Sequence, residues 1–476
     1  MNKNEQICYV YIQMPETLET VPCASLKVRV VAADAFEGTF TYGKRYLERP
    51  DVLALDPFHL PLSVRPRKFT KLKGVPGAVR DASPDAWGRR VIQAKLQRPE
   101  ADIQELEYLL NGPDDGAGNL SFGRTAIPPA PRRSFNRTHQ LTALIEAAEK
   151  LEEDGRLPQK VLEELEPGTS MGGARPKVTI EDKHKIWLAK LPEKADRHNM
   201  QRIEYATLEL ARATGLRVCA TRIEPMGERD ALLLDRFDRE WIPDANTWRR
   251  HGLVSGLTVI DAEDGHLGRN RWSYPLLADE LRRWSVRSDD DRRELFLRMV
   301  FNAMVTNNDD HPRNHALLHA KSGWRLSPAY DILPAPMVSL ERRDLALEVG
   351  RFGRAASLYN ILSRCEAFGL TKEDAKALTD GMLVVVRNWR EVFVKRSGLA
   401  CLNNIPRFIS GLRAGCQRCR VVHGGGGRLR RTDRRGGQLG AHQNLHLMPP
   451  LSLSVNGRSK THQAWRLQDL NAAASC

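Results

Sequence analysis

Residues 307–315 read Asn-Asn-Asp-Asp-His-Pro-Arg-Asn-His, and only Thr306 separates them from the apolar run LFLRMVFNAMV at 295–305. Two adjacent carboxylates, two imidazoles and three amides thus stand at the end of a segment built for burial. Within the cluster Asp309 and Asn314 are five positions apart, as D-x-x-x-x-N. Phosphoryl transfer uses such a pair. A carboxylate accepts the proton of an attacking hydroxyl, and an amide oxygen helps hold a metal ion that neutralises phosphate charge. The spacing alone is common. A further carboxylate, Asp331, lies in WRLSPAYDILP (324–334), 17 residues after Asn314, and suits a second metal ligand. Asp310 competes with Asp309 for the base; beside it, Asp310 reads as a local acceptor for backbone N–H groups.

Upstream, Lys190 ends the apolar strand-like stretch IWLAKLP (186–192), where an ammonium can reach nucleotide phosphates. Glu204, on the following helical stretch, is a candidate partner, although Arg202 and Arg212 offer it ordinary surface pairs. Lys177 and Lys185 compete with Lys190 for the phosphate role. The stretch SMGGARPK (170–177) contains Ser170, Gly172 and Gly173, and its glycines let backbone N–H groups approach phosphate. It is neither G-x-G-x-x-G nor a Walker loop. Gly-rich turn, strand lysine, helix glutamate, apolar strand, D-x4-N and a final aspartate follow one another in the order of a protein kinase.

The elements that must position these residues are partly visible. Residues 7–125 are rich in strand-forming stretches, among them CYVYIQM, SLKVRVVA and GTFTYG. SPDAWGRRVIQAKLQ (83–97) predicts a helix with Ser83 as N-cap and Pro84 at its first position. After a Pro/Arg linker at 128–136, LTALIEAAEKLEE and PQKVLEELE predict a helical pair. The charged EDKHK (181–185) predicts a hairpin turn between two strands. MQRIEYATLELARATG (200–215) predicts an amphipathic helix stopped at Gly215. ALLLDRFDRE (231–240) reads as a buried strand, and residues from about 275 to 412 as mostly helical.

Composition narrows the class. At 41% hydrophobic residues the chain of 476 is globular in bulk. Its formal charge is +14, but the residues from Arg413 onward hold 11 Lys/Arg against two acids. Nine of the net charges therefore lie there and +5 remain in the preceding 412 residues, which argues against a nucleic-acid binder. The eight cysteines are scattered, without a disulfide framework, and CQRC (416–419) has no second Cys or His pair at finger spacing. The N-terminal stretch has no signal-peptide pattern and no run is long enough to span a bilayer, so the expected setting is cytoplasmic, with no membrane partner.

Taken as separate blocks, these motifs resemble the HipA-type serine/threonine kinase toxins of bacterial type II toxin–antitoxin pairs. FNAMVTNNDDHPRNHALLH (301–319) resembles the family's catalytic block, WRLSPAYDILP its metal-site block, SMGGARPK its Gly-rich loop and LLLDRFDR (232–239) its hinge. FTYGKRYL, LPLS and RDASPDAWGRR resemble its accessory subdomain. The resemblance, over roughly residues 8–400, implies an α+β, bilobal, protein-kinase-like fold with a β-rich N-terminal subdomain and a mostly helical C-terminal lobe. It implies ATP and Mg²⁺ as cofactors. Asp309 becomes the catalytic base, Asn314 and Asp331 the metal ligands, and Lys190 a phosphate contact supported by Glu204. Main-chain groups of Asp235 and Phe237 meet the adenine, His311 lies beside the phosphates, and Ser170 in the Gly-rich loop is the autophosphorylation site that silences the enzyme. The implied partners are a helix-turn-helix antitoxin, operator DNA through that antitoxin complex, and a protein substrate such as an aminoacyl-tRNA synthetase; growth arrest and persistence are the implied outcome.

The expected organisation is a β-rich subdomain at 1–128, a kinase N-lobe core at 129–235, a helical catalytic lobe at 236–412 and a basic, disordered tail at 413–476. The tail departs from the family's ending and reads as a frameshifted or read-through segment. Two other functions fit the same residues: a small-molecule phosphotransferase on a kinase-like scaffold, and a catalytically inactive partner-binding subunit.

Overall fold

In the computed structural model, described residues are 5–32, 35–130, 135–165, 173–265, 268–335 and 343–397. Ser170, Gly172, the CQRC pair and the tail from 413 lie outside them.

Strand-forming residues with a buried face build the first sheet. Strands β1 (Glu5–Gln13), β2 (Thr20–Ala32), β3 (Ala35–Tyr42), β4 (Arg67–Phe69) and β5 (Leu120–Gly123) pair antiparallel in the order β4-β3-β2-β1-β5. Cys8, Val10 and Ile12 of β1 recur at every second position and are buried. Between β4 and β5 the chain is helical, at Gly77–Asp81, Ala86–Leu96 and Glu105–Asn111. The Ala86–Leu96 helix starts later than its sequence suggests. Asp85, not Ser83, is the N-cap and accepts the Gly88 N–H at 2.9 Å, which leaves Pro84 outside the first turn. A carboxylate has a second oxygen to offer, and Asp85 uses it on Lys177.

A second sheet follows. Strands β6 (Lys177–Asp182), β7 (Lys185–Lys190), β8 (Thr221–Met226) and β9 (Arg229–Asp235) run antiparallel in the order β6-β7-β9-β8. Lys183 (φ 47°) and His184 (φ 58°) alone form the turn between β6 and β7. Two left-handed residues are what a two-residue hairpin needs to match the strand twist. The helices Leu141–Asp154 and Gln159–Leu165 cover one face, packing Leu144, Ile145, Leu151 and Leu162 against Val178, Ile180, Trp187 and Ala189. The helix Met200–Ala213 packs on the opposite face through Ala206 and Leu210, against Leu188, Leu232 and Leu234. Period two therefore places Lys190, like Leu188, on the face of β7 that meets this helix. The helix ends at Ala213, and Gly215 (φ +89°) takes the left-handed position just beyond.

Downstream, β10 (Arg239–Ile242) pairs with β11 (Thr247–Arg250), and β12 (Gly252–Ser255), β13 (Ala316–Ala320) and β14 (Gly323–Leu326) form a three-stranded sheet. The helices Tyr274–Trp284, Ser288–Val305, Lys372–Arg387 and Trp389–Ser397 make up most of the rest. Residues 275–397 are thus less uniformly helical than expected, because the β13–β14 hairpin interrupts them. Ser288–Val305 is buried on nearly all sides, with Leu295, Phe296, Met299, Val300 and Phe301 at 0% exposure, so it is a fixed post inside the lobe.

Candidate active site

The polar cluster begins where that post ends. Thr306 adopts φ 60° and stops the helix, and the buried Asn302, Asn307 and Tyr274 interlock beneath it. Asn302 Nδ2 donates to Tyr274 Oη at 2.9 Å and Asn307 Nδ2 to Asn302 Oδ1 at 3.2 Å. Polar residues at a buried helix end are tolerable only when paired in this way.

The loop then splits its two carboxylates. Asp310 is buried and accepts the Ala346 N–H at 2.6 Å, as expected of a local anchor. Asp309 is exposed. Desolvation by the surrounding protein and the charge of Asp331 push its carboxyl above the ordinary value, with Lys190 opposing. Its backbone carbonyl accepts Asn314 Nδ2 at 2.8 Å, which ties the two ends of D-x4-N and leaves the Asn314 amide oxygen for another ligand. His311 accepts the Arg313 N–H at Nδ1 (3.2 Å) and sets its ring edgewise on Trp272, with centroids 4.1 Å apart. Burial pulls its pKa down to about 4, so it is neutral at neutral pH.

Lys190 joins the two halves of the site. Its ammonium donates to Glu204 Oε1 at 2.7 Å and to Asp331 Oδ1 at 2.5 Å. Burial disfavours the charge, but the two carboxylates outweigh it and hold the lysine above its ordinary pKa. Burial likewise opposes ionisation of Asp331, and there Lys190 prevails, keeping that carboxyl below its usual range. Glu204 lies deeper, and its carboxyl is pushed up by burial against the pull of Lys190. Asp331 sits at φ 56°, unusual for a residue with a Cβ, and its side chain remains 32% exposed.

The competing sequence readings separate here. Arg202 is taken by Asp230 (2.7 Å) and Arg212 pairs with Glu209, so Glu204 faces Lys190. Lys177 is buried against Asp85 (2.7 Å) and the Gly173 carbonyl (3.1 Å), and Lys185 lies exposed over the Trp187 ring. Gly173 has φ +97°, and a Cβ there would come within 3.3 Å of the Lys177 ammonium. At the hinge, Phe237 N–H donates to the Asp235 carbonyl at 2.9 Å, so these main-chain groups engage one another, while the Phe237 ring lies 5.6 Å from Tyr330. Among the described residues no group of three or more His, Cys, Asp or Glu could hold a metal ion. One carboxylate, Asp331, and one amide oxygen, Asn314, still suit Mg²⁺, which draws its remaining ligands from phosphate and water.

Several supporting residues are invisible in the motif spacing. Arg313 forms a bidentate pair with Asp264 (2.9 and 2.7 Å) and approaches Asp81 at 3.6 Å, tying the loop to the first subdomain. Tyr330 Oη donates to the Arg313 carbonyl at 2.8 Å. Nothing in the sequence pairs these residues, since each contact spans separate elements.

Residues 169–389 match the family model described as the HipA-like C-terminal domain. The serine/threonine-protein kinase toxin HipA of Shewanella oneidensis is 27% identical over 168 residues, 32% of this chain and 38% of that protein. Y4mE of Sinorhizobium fredii is 27% identical over 150 residues, 31% of this chain and 36% of that protein. The chain thus matches little more than a third of the length of these curated relatives. HipA of Shewanella oneidensis, solved as a complex with HipB and operator DNA, superposes with a TM-score of 0.58 at 15% identity, over 86% of this chain and 97% of that one. The HipA-like fold therefore extends beyond the domain match: an α+β chain with a strand-rich N-terminal region and a helical C-terminal part. No helix among the described residues is long and apolar enough to cross a membrane.

Proposed function

We propose that this chain is an ATP- and Mg²⁺-dependent serine/threonine protein kinase of HipA type, the toxin of a type II toxin–antitoxin pair. The observation that carries the reading is Lys190, whose ammonium links Glu204 and Asp331 beside the Asp309–Asn314 loop. A lysine held by a helix glutamate is poised for nucleotide phosphates. Asp309 is exposed at the loop and accepts the proton of a substrate hydroxyl as its oxygen bonds to the γ-phosphorus and the bond to the β-phosphate oxygen breaks. Asn314 and Asp331 hold Mg²⁺, which when bound neutralises charge on the phosphates. His311, neutral and fixed on Trp272, lines the phosphate side, and the hinge at Asp235 and Phe237 takes the adenine.

Ser170 is the autophosphorylation site. Phosphate there adds about −1.5 to −2 charge to the Gly-rich loop and withdraws it from the nucleotide, silencing the enzyme. A helix-turn-helix antitoxin binds the kinase and carries it to operator DNA in the cytoplasm, as HipB and operator DNA accompany the Shewanella HipA. The target is a protein, with aminoacyl-tRNA synthetases as the first candidates, and its phosphorylation arrests growth.

Transfer from γ-labelled ATP tests the reading. Purified wild type with Mg²⁺ is expected to label itself at Ser170, and Asp309→Asn to lower transfer by about 10²–10⁴-fold. ATP binding without label on any protein would turn the reading toward a small-molecule phosphotransferase. No ATP binding would leave a partner-binding subunit.

A further inference from the structure

The hinge does not end in solvent. Arg236, 1% exposed, forms a bidentate pair with the fully buried Asp238 at 2.8 and 3.0 Å. Arg239 donates to the same carboxylate at 2.8 Å, and the Gly118 N–H completes it at 2.9 Å. The guanidiniums of Arg236, Arg239 and Arg250 then converge on one loop of the N-terminal subdomain. All three donate to the Gly116 carbonyl, at 3.2, 2.6 and 3.2 Å. Arg239 and Arg250 share the Gly118 carbonyl at 2.9 and 3.0 Å.

Burying three guanidiniums is unfavourable unless each is compensated. Two carboxylates, Asp238 and Asp115, lie in the node, and carbonyls of the loop accept most of the remaining N–H groups; Arg236 Nη1 meets Asp115 only as an ion pair at 3.8 Å, without a hydrogen bond. Directional hydrogen bonds from three guanidiniums to one loop constrain the relative placement of loop and hinge. The loop is itself anchored to β1, where Gln13 N–H donates to the Asn119 carbonyl at 2.9 Å and Asn119 Nδ2 to the Gln13 carbonyl at 3.2 Å. On the other side the hinge backbone is held by the second sheet, with Arg236 N–H donating to Ile186 O at 3.0 Å.

We propose that the 112–120 loop of the N-terminal subdomain sets the conformation of the hinge at 235–238, so that Arg236, Asp238 and Arg239 are positioning residues for the nucleotide base. The nucleotide role rests on the kinase reading above; the hold of the loop on the hinge does not.

Hydrogen exchange on the full chain separates the two. In Arg239→Gln, amide exchange at Arg236 and Phe237 without nucleotide is expected to quicken about tenfold or more, while β7 amides stay protected. The KM for ATP is expected to rise about tenfold with kcat within twofold, and Arg239→Lys to recover part of the loss. Asn119→Ala, which loosens the loop without touching the hinge, is expected to act in the same direction and serves if Arg239→Gln does not fold. Folded variants with unchanged hinge exchange and unchanged KM would overturn the proposal. Faster hinge exchange in a protein whose wild type binds no ATP would overturn the nucleotide role and the kinase reading together, and would support only the loop's hold on the hinge.

Discussion

Asp309 and Asp310 are covalent neighbours with opposite environments. Asp309 faces solvent near Lys190 and Asp331, whereas Asp310 is buried under the Ala346 N–H and beside Tyr274. Burial pushes the Asp310 carboxyl up to about 7. An unfolded aspartate titrates at about 3.9, so between these values the folded chain keeps a proton that the unfolded chain has lost. The Asp310 contribution is therefore fully present below about pH 4, declines as pH rises and is lost above about pH 7. Asp310→Asn keeps an acceptor for Ala346 and cannot ionise. Urea unfolding at pH 5 and pH 8 is expected to show a smaller loss of stability with rising pH in the variant; equal losses in both proteins would contradict this assignment.

Among the elements, the β6–β7 hairpin delivers Lys190, and it does so through a turn of unfavourable residues. Lys183 and His184 both hold positive φ without being glycine, at roughly 1 kcal/mol each. His184 recovers some of this by stacking on Trp241, with centroids 4.5 Å apart, but Lys183 is exposed. Asparagine tolerates that conformation better. Lys183→Asn is expected to stabilise the protein by about 0.5 kcal/mol, read as a rise in thermal midpoint with transfer activity unchanged. A lowered midpoint would mean that the lysine side chain contributes something its exposed position does not show.

On the scale of the molecule, the N-terminal subdomain reaches each working part of the site. Asp81 approaches the catalytic loop through Arg313, the 112–120 loop grips the hinge, and Asp85 and Arg90 hold the Gly-rich segment through Lys177 and the Ala174 carbonyl. The Asp85–Lys177 pair is deeply buried, with side chains 7% and 2% exposed. Removing one member leaves a buried charge, a loss of about 3–5 kcal/mol, whereas removing both leaves none. The double variant of Asp85→Asn, which retains the helix cap, and Lys177→Met is expected to cost less than the sum of the two single losses. Denaturant titration of the four proteins measures the coupling, and strictly additive losses would show that the pair does not act as a unit.

What the sequence determined by itself is what lies close along the chain. The D-x4-N spacing, the apolar run ahead of it, the Lys190 strand and the Gly215 stop are legible because a loop, a strand or a helix end is fixed by a few consecutive residues. Even there the cap moved from Ser83 to Asp85, since the choice among neighbouring polar residues depends on a partner elsewhere. Tertiary structure alone decided which arginines hold the hinge, and it settled between the competing lysines for Glu204. Lys190 and Asp331 are 141 residues apart, Lys177 and Asp85 92, and Arg236 and Asp115 121. A charge along the chain is only a charge; its partner, its burial and hence its protonation and role are set when distant segments exclude water around it.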